Sequence, residues 1–203
     1  MNTVRIAAGQ LKHFVVRRPT LEDAAAVTGL INVCAVIETG SLAMTVDQLL
    51  QIWASPGFDL QTDAWMVFDP VGQLVGYAEL WEQPPYEAPY VWVHVHPDYV
   101  GRGIGIHLLS LAEGHVRQAA RCDMAGRRVV LRVATICLNQ TARRMLSEQG
   151  FRLTERFWRS GEGTQGAGRS GGPVDRIALR TFVPGEQGLA AYRYDIYEKE
   201  LCA

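Results

Sequence analysis

The chain has 203 residues, 48% of them hydrophobic, which is enough to form one sizeable core and favours a single compact domain. Lys and Arg number 20 against 21 Asp and Glu, a formal net charge of −1 that implies no polyanion-binding surface and argues against nucleic acid as a partner. The four cysteines are scattered with no Cys-x-x-Cys pair, so we expect neither a metal site nor a disulfide framework. No apolar run approaches membrane length, and the opening residues are too short and polar for a signal peptide, so we expect a cytoplasmic protein with no membrane partner.

Turn and cap signals divide the first part of the chain into a strand and two helices. Phe14–Pro19 is predicted to form the strand, and Thr20 follows it as the N-cap of a helix whose apolar stripe ends at Gly40. Thr45 begins a second helix, with a capping partner three residues on, and Pro56–Gly57 ends it. The order strand, helix, helix therefore precedes the first hairpin.

A β-hairpin is predicted next. Ala64–Phe68 and Leu74–Trp81 are apolar segments of strand length, and Asp69–Gly72 between them is typical of a turn. Glu79 is an acidic residue within the second of these strands. It occupies either an outward-facing position on the sheet or a binding site that needs a carboxylate, and the pattern does not distinguish the two.

The centre of the chain carries the most informative motif. Val91–His96 alternates as a strand, which Pro97 ends because proline cannot donate to a sheet ladder. Three glycines at alternate positions follow in Gly101–Gly105, and an apolar helical period begins at Ile104. A glycine loop at a helix N-terminus, with the positive charge of Arg102, is typical of a phosphate-binding site, although an ordinary tight turn has a similar composition. The Gly-x-Gly-x-Gly spacing differs from the Gly-x-Gly-x-x-Gly of dinucleotide folds, which disfavours a nucleotide-dependent dehydrogenase.

Further elements follow this helix. Gln118–Arg128 is predicted to be a polar connector and Val129–Leu138 a largely buried strand. Asn139 is the expected N-cap of the next helix, and Gly150 is its expected C-terminal stop. Arg152–Trp158 then predicts another strand, so strands and helices alternate as in a mixed α/β fold.

Two of these motifs resemble signatures of the GNAT superfamily, the CoA-dependent N-acetyltransferases. Gly103 and Gly105 match the glycines of the family's acetyl-CoA loop, (Gln/Arg)-x-x-Gly-x-(Gly/Ala), while Val100 stands where the family usually has Gln or Arg. The Asn139-x-x-Ala segment, with Gly150–Phe151 after it, is similar to the family's second signature. The resemblance spans most of residues 14–158.

The resemblance implies an α/β fold whose mixed, mostly antiparallel central sheet has splayed central strands and flanking helices. It also implies acetyl-CoA as the cosubstrate, no metal, and a primary amine of a small molecule or peptide as the acceptor, and it allows a homodimer. The first two helices would cover the acceptor, where Glu38, Thr39 and Trp53 either pack and cap or contact substrate. The residues assigned to the cofactor are Val93, Val95, Val100, Gly101, Arg102, Gly103, Ile104, Gly105 and Asn139.

Acyl transfer to an amine requires a proton acceptor. An alkylamine with a pKa of about 10.4 is neutral in only roughly one molecule in 2,500 at pH 7, a penalty of about 4.6 kcal/mol. Backbone N–H groups of the central strand would stabilise the oxyanion, and no covalent intermediate on Cys137 is needed. The candidate bases are Glu79, Glu87 and His94, with Glu82 and His96 as rivals.

One departure from the family pattern concerns the acid that protonates the leaving thiolate. Many members carry a tyrosine in the helix after Asn139, and the aligned residue here is Leu146, which cannot donate a proton. One alternative is that another group or water protonates the thiolate, which is a good leaving group because a thiol pKa is about 8.5. The other alternative is that the chain is a CoA-binding module without turnover. We favour an acyltransferase, and the acceptor amine is left open.

The last part of the chain has two interpretations. Residues 160–172 are rich in Gly and Ser and predict a flexible loop. Ile177–Phe182 is then the last strand of a single domain; alternatively, Leu179–Glu186 and a helical Leu189–Tyr197 resemble the start of a second repeat, as in tandem members such as mycothiol synthase. We favour a single domain at 12–203, with its core at 14–158 and a terminal segment, or repeat remnant, at 175–203.

Overall fold

The computed structural model describes residues 13–81, 88–123, 129–136, 139–159 and 192–202. Several sequence predictions fall outside these ranges: the candidate acids Glu82 and Glu87, the thiol of Cys137, the loop at 160–172 and the strand at 177–182. They stay predictions.

The described residues form a seven-stranded sheet with helices on both faces. The strands are β1 Val15–Arg17, β2 Ala64–Phe68, β3 Leu74–Trp81, β4 Tyr90–Val95, β5 Val129–Ile136, β6 Arg152–Arg159 and β7 Tyr192–Cys202. The helices are α1 Ala24–Thr39, α2 Val46–Trp53, α3 Leu60–Asp63, α4 Ile104–Asp123 and α5 Gln140–Glu148. The sheet order is β1-β2-β3-β4-β5-β7-β6, and every neighbouring pair is antiparallel except β4 and β5. This confirms the predicted mixed α/β fold.

The local signals for the first helices are confirmed by their hydrogen bonds. The Thr45 hydroxyl accepts from the Gln48 N–H at 3.3 Å, and the Gln48 side chain accepts from the Thr45 N–H at 2.8 Å. Thr20 forms a similar box, on a 3₁₀ turn that leads into α1. Gly40 ends α1 in the left-handed region, with φ of 76°.

The β2–β3 hairpin has the bounds that the sequence predicts. Its turn is closed by the Asp69 carboxylate, which accepts from the Val71 N–H at 3.1 Å and from the Gln73 N–H at 2.8 Å. A short aspartate side chain that satisfies backbone donors ahead of it is a common way to fix a turn.

Two boundary predictions are wrong. The helix α4 continues to Asp123, through the segment from Gln118 that the sequence pattern predicts as a connector, because this segment consists largely of strong helix formers and contains no Gly or Pro as far as Asp123. The helical alternative for Leu189–Tyr197 fails from Tyr192 onward, where the chain is a strand between β5 and β6. The strand is favoured there because it lies inside the sheet, where Tyr194, Asp195, Ile196 and Tyr197 are buried on its two faces.

Each face of the sheet carries its own helices. Side chains of α1 and α2 pack with Met66 and Tyr77 on one face, and side chains of α4 and α5 pack with Ala78 and Val91 on the other. We call these the α1 face and the α4 face. The face on which a strand side chain lies therefore decides from which side of the sheet a ligand can contact it.

Gly76 brings β3 and α4 into close contact. A Cβ built on it would lie 2.6 Å from the Ile104 Cγ2 atom at the start of α4. Isoleucine is stiff at χ1, so the two backbones must move apart to admit a methyl group. We expect Gly76→Ala to lower the free energy of unfolding by about 1–3 kcal/mol, measured by denaturant or thermal unfolding.

Gly29 provides the matched control for this substitution. It lies exposed within α1, and a Cβ there meets nothing within 4 Å. Gly29→Ala is expected to stabilise the protein by up to about 1 kcal/mol through helix propensity. An unchanged melting temperature for Gly76→Ala would contradict the close β3–α4 contact.

Candidate active site

The two central strands separate part-way along the sheet. β4 and β5 pair only at Tyr90–Arg132 and Val91–Val133. Beyond these positions β4 stays paired with β3 as far as Val95, and β5 stays paired with β7 as far as Ile136. The strands therefore diverge after Val91, and we call the opening between them the β4–β5 gap. This is the predicted splay.

The backbone of β4 presents hydrogen-bonding groups to this gap. The His96 N–H donates to the Val75 carbonyl at 2.9 Å, and the Pro89 carbonyl accepts from the Arg132 N–H at 2.9 Å. Because the direction alternates along a strand, the N–H and C=O groups of Val93 and Val95 point towards β5. The Cys34 thiol of α1 donates to the Val95 carbonyl at 3.3 Å.

The glycine loop lies between β4 and α4 at the open end of this gap. Gly101 and Gly103 have φ of 83° and 85°, in the left-handed region that favours glycine. The first bond of α4 runs from the His107 N–H to the Gly103 carbonyl at 3.0 Å, so the N–H groups of the first turn are not used within the helix. A Cβ on Gly105 would lie 3.6 Å from both Val95 and Met145, which puts the helix start between β4 and α5.

A contact that the sequence analysis missed fixes the position of this loop. The Tyr99 hydroxyl donates to the Asp69 carboxylate at 2.5 Å, and this bond holds the pKa of Asp69 below its ordinary value. The Arg102 guanidinium lies over the Tyr99 ring, 4.6 Å from its centroid. His96, a rival base, accepts from the Asp98 N–H at 3.3 Å and so serves as a cap here. A turn aspartate and a loop tyrosine are too far apart in sequence to indicate this pairing.

Asn139 stands across the gap from the glycine loop, at the end of β5. Its side-chain oxygen accepts from the Ala142 N–H at 2.9 Å, which confirms the predicted N-cap of α5. Its amide nitrogen donates to the Glu38 carboxylate of α1 at 2.5 Å. Leu146, at the family's tyrosine position, is 1% exposed and belongs to the core of the α4 face.

Glu79 lies on the α1 face and is buried, 2% exposed, so the outward-facing alternative is wrong. Its carboxylate accepts from the Tyr77 hydroxyl at 2.7 Å, and that hydroxyl accepts from the Trp53 indole N–H at 3.0 Å. Burial raises the pKa of Glu79, and the Tyr77 bond partly opposes the rise. The sequence analysis does not identify Tyr77 as the partner of Glu79, although residues two apart on a strand share a face of the sheet.

His94 is the second candidate base that the structure brings to this face. Its ring stacks on Tyr77, with 6.5 Å between centroids, and burial lowers its pKa to about 4. It is therefore neutral at neutral pH and a weak base. The Trp81 and Trp92 indole N–H groups are also buried here, and neither has a hydrogen-bond partner of good geometry in the part of the chain that is described.

An open mixed sheet, split at its centre beside a helix N-terminus, is the fold of the acetyltransferases with which this structure aligns. The sequence agrees, because residues 42–151, just over half of the chain, match the model of the Acetyltransferase (GNAT) family. The chain belongs to the GNAT family of acetyltransferases.

Solved structures share this fold over nearly the whole chain at low sequence identity. A GCN5-related N-acetyltransferase from Sphaerobacter thermophilus is 15% identical with a TM-score of 0.73, and the match covers 94% of this chain and 96% of that one. The putative acetyltransferase yncA from Salmonella typhimurium, solved with its cofactor acetyl-CoA, is 20% identical with a TM-score of 0.61, covering 94% and 95%. A putative phosphinothricin N-acetyltransferase is 16% identical with a TM-score of 0.63, covering 94% and 99%.

Three further searches give negative results. A search of curated proteins finds no match. Within the described ranges, no helix is both long and apolar enough to cross a membrane. Across those same ranges, no cluster of three or more His, Cys, Asp or Glu side chains could hold a metal ion.

The raised pKa of Glu79 makes a prediction about stability. In the unfolded chain this carboxyl ionises near its ordinary value of 4.5, whereas in the folded protein it keeps its proton to higher pH. The folded state then binds more protons, so its stability falls as pH rises through the interval above 4.5. Glu79→Gln should therefore melt at a higher temperature than the wild type at pH 8 and at a similar temperature at pH 4.

The surface variant Glu148→Gln is the control for this comparison, because Glu148 is exposed at the end of α5. Its melting temperature should follow the wild type at both pH values. A Glu79→Gln variant that is less stable than the wild type at pH 8 would contradict a buried, destabilised carboxylate.

Proposed function

We propose that this protein transfers the acetyl group of acetyl-CoA to a primary amine by direct attack in a ternary complex. The observation that supports this most is the β4–β5 gap, where the backbone groups of Val93 and Val95 have no strand partner across the opening and the start of α4 lies at its open end. A linear amide chain can pair with such an edge as an added strand does. A phosphate group can then reach the N–H groups of the helix start.

Acetyl-CoA supplies an acyl group activated as a thioester. The residues proposed to hold its pantetheine arm are Val93, Val95 and Asn139. Those proposed for its pyrophosphate are the loop Val100–Gly105, where glycine removes side chains and Arg102 adds positive charge. The N–H of Val93 or Val95 is proposed to stabilise the oxyanion that develops on the thioester carbonyl oxygen.

Glu79 is the proposed general base. Its burial raises its pKa, which makes it a stronger base than an exposed glutamate and better suited than His94, with a pKa of about 4. The acceptor nitrogen bonds to the acyl carbon, the carbon–sulfur bond breaks, and the amine proton passes to Glu79 directly or through water. The thiolate needs no acid at Leu146, because a thiol with a pKa near about 8.5 leaves readily.

A CoA-binding module without turnover is the second candidate, and the buried Leu146 is the observation that favours it. The acceptor is proposed to be a small molecule or a peptide, and the organisation is proposed to be a single domain. Amine-dependent release of CoA distinguishes the enzyme from the module.

The glycine loop makes the first prediction for this function. Because Gly103 has φ of 85°, a β-branched residue there forces the loop to a different conformation and moves the helix-start N–H groups. We expect Gly103→Val to weaken acetyl-CoA binding by roughly tenfold or more, measured by calorimetry.

Gly57→Val is the matched control, because Gly57 also has φ of 85° and also has free space around a Cβ, but lies after α2. It should lose similar stability and keep its affinity for acetyl-CoA. Equal losses of affinity in the two variants would mean that strain, rather than the loop, accounts for the effect.

The base makes the second prediction. Glu79→Gln should lower kcat by about a hundredfold and leave the acetyl-CoA Kd unchanged, the usual range for loss of a general base. The pH–rate profile should lose its acidic limb, because the variant has no carboxyl to ionise. If Glu79→Gln keeps the wild-type profile while Glu87→Gln or His94→Ala collapses, the role belongs to that residue.

A further inference from the structure

Glu38 is a second carboxylate whose surroundings oppose its charge. It lies in the last turn of α1, where the helix dipole presents its negative end. It is half-buried, and the desolvation raises its pKa. Among the described ion pairs, none involves Glu38 or Glu79. A carboxylate such as Glu38, placed where its negative charge lowers the stability of the folded protein, indicates a functional role.

The contacts of α1 locate Glu38 over the β4–β5 gap. One turn before it, the Cys34 thiol bonds to the Val95 carbonyl at the β4 margin, at 3.3 Å. Glu38 itself bonds to Asn139 at the β5 margin, at 2.5 Å. The last turns of α1 therefore cross the open end of the gap from one margin to the other. Glu38 lies on the face that also carries Glu79.

We propose that Glu38 binds a second cationic group of the acceptor, so that the enzyme prefers diamines to monoamines. The proposal rests on the function proposed above, in which Glu79 lies near the attacking nitrogen. The Asn139 amide is a neutral partner, and an ammonium group that replaces it would compensate the charge of Glu38. Glu38 is only half-buried, so its carboxylate also attracts a cation from solution when it is ionised.

The spacing along the fold limits the length of such an acceptor. Val95 lies two residues beyond Val93, about 6.6 Å along the strand. Glu38 lies four residues beyond Cys34 in α1, about 6 Å along the helix axis. With the reacting nitrogen placed beside Val93, these two lengths put the Glu38 carboxylate on the order of 10 Å from that nitrogen. This separation suits a linear diamine of five to eight carbons.

The test compares cadaverine, a five-carbon diamine, with pentylamine, its monoamine counterpart. The wild type should show a kcat/KM for cadaverine at least about tenfold above that for pentylamine, beyond the statistical advantage of two reactive ends. Glu38→Gln should remove this preference by raising the KM for cadaverine much more than the KM for pentylamine. Extending the series to eight carbons locates the optimum length.

Glu148→Gln is the matched control, because it removes the same charge from the last turn of α5, an exposed helix end. It should keep the wild-type preference. No preference in the wild type, a preference that survives Glu38→Gln, or an equal loss for both amines would overturn the proposal. Absence of turnover with every amine would instead overturn the proposed function, so the two failures are distinguishable.

Discussion

The separation of β4 from β5 after two register pairs is the constraint on which the rest of the structure depends. Each strand keeps a full ladder with its other neighbour, β4 with β3 and β5 with β7, so the sheet holds together on both sides of the opening. The gap leaves the backbone of Val93 and Val95 without strand partners across it, and the start of α4 lies beside Met145 of α5. The candidate site thus arises from a missing stretch of strand pairing rather than from a cavity among side chains.

The same region carries charge that the fold does not neutralise. Glu79 is buried and accepts a hydrogen bond from the Tyr77 hydroxyl, which itself accepts one from the Trp53 indole N–H. Glu38 is half-buried at the C-terminal end of α1, the negative end of the helix dipole. Buried carboxylates without cations lower stability, and active sites commonly accept this cost. The loop on the other margin is positive at Arg102 and is held by the bond from Tyr99 to Asp69. An anionic ligand at the loop and a cationic ligand at the carboxylates would therefore complete the charge balance.

Local patterns predict the elements of this fold well, and contacts between distant residues explain what they miss. The hairpin bounds, the caps at Thr45 and Asn139 and the glycine loop follow from spacing and turn chemistry alone. The side of the sheet that Glu79 occupies depends on which helices cover each face, and that is not local information. The bond from Asn139 to Glu38 joins residues 101 positions apart, so no window of sequence indicates it.

The most direct test of the account is to incubate the protein with acetyl-CoA and a panel of primary amines. Free CoA thiol and acetylated amine are then measured in the same samples, by a thiol reagent and by mass spectrometry. The account predicts amine-dependent thiol release, with one acetylated nitrogen formed for each CoA released. Tight acetyl-CoA binding in calorimetry, with no thiol release above background for any amine, would contradict it and identify a binding module.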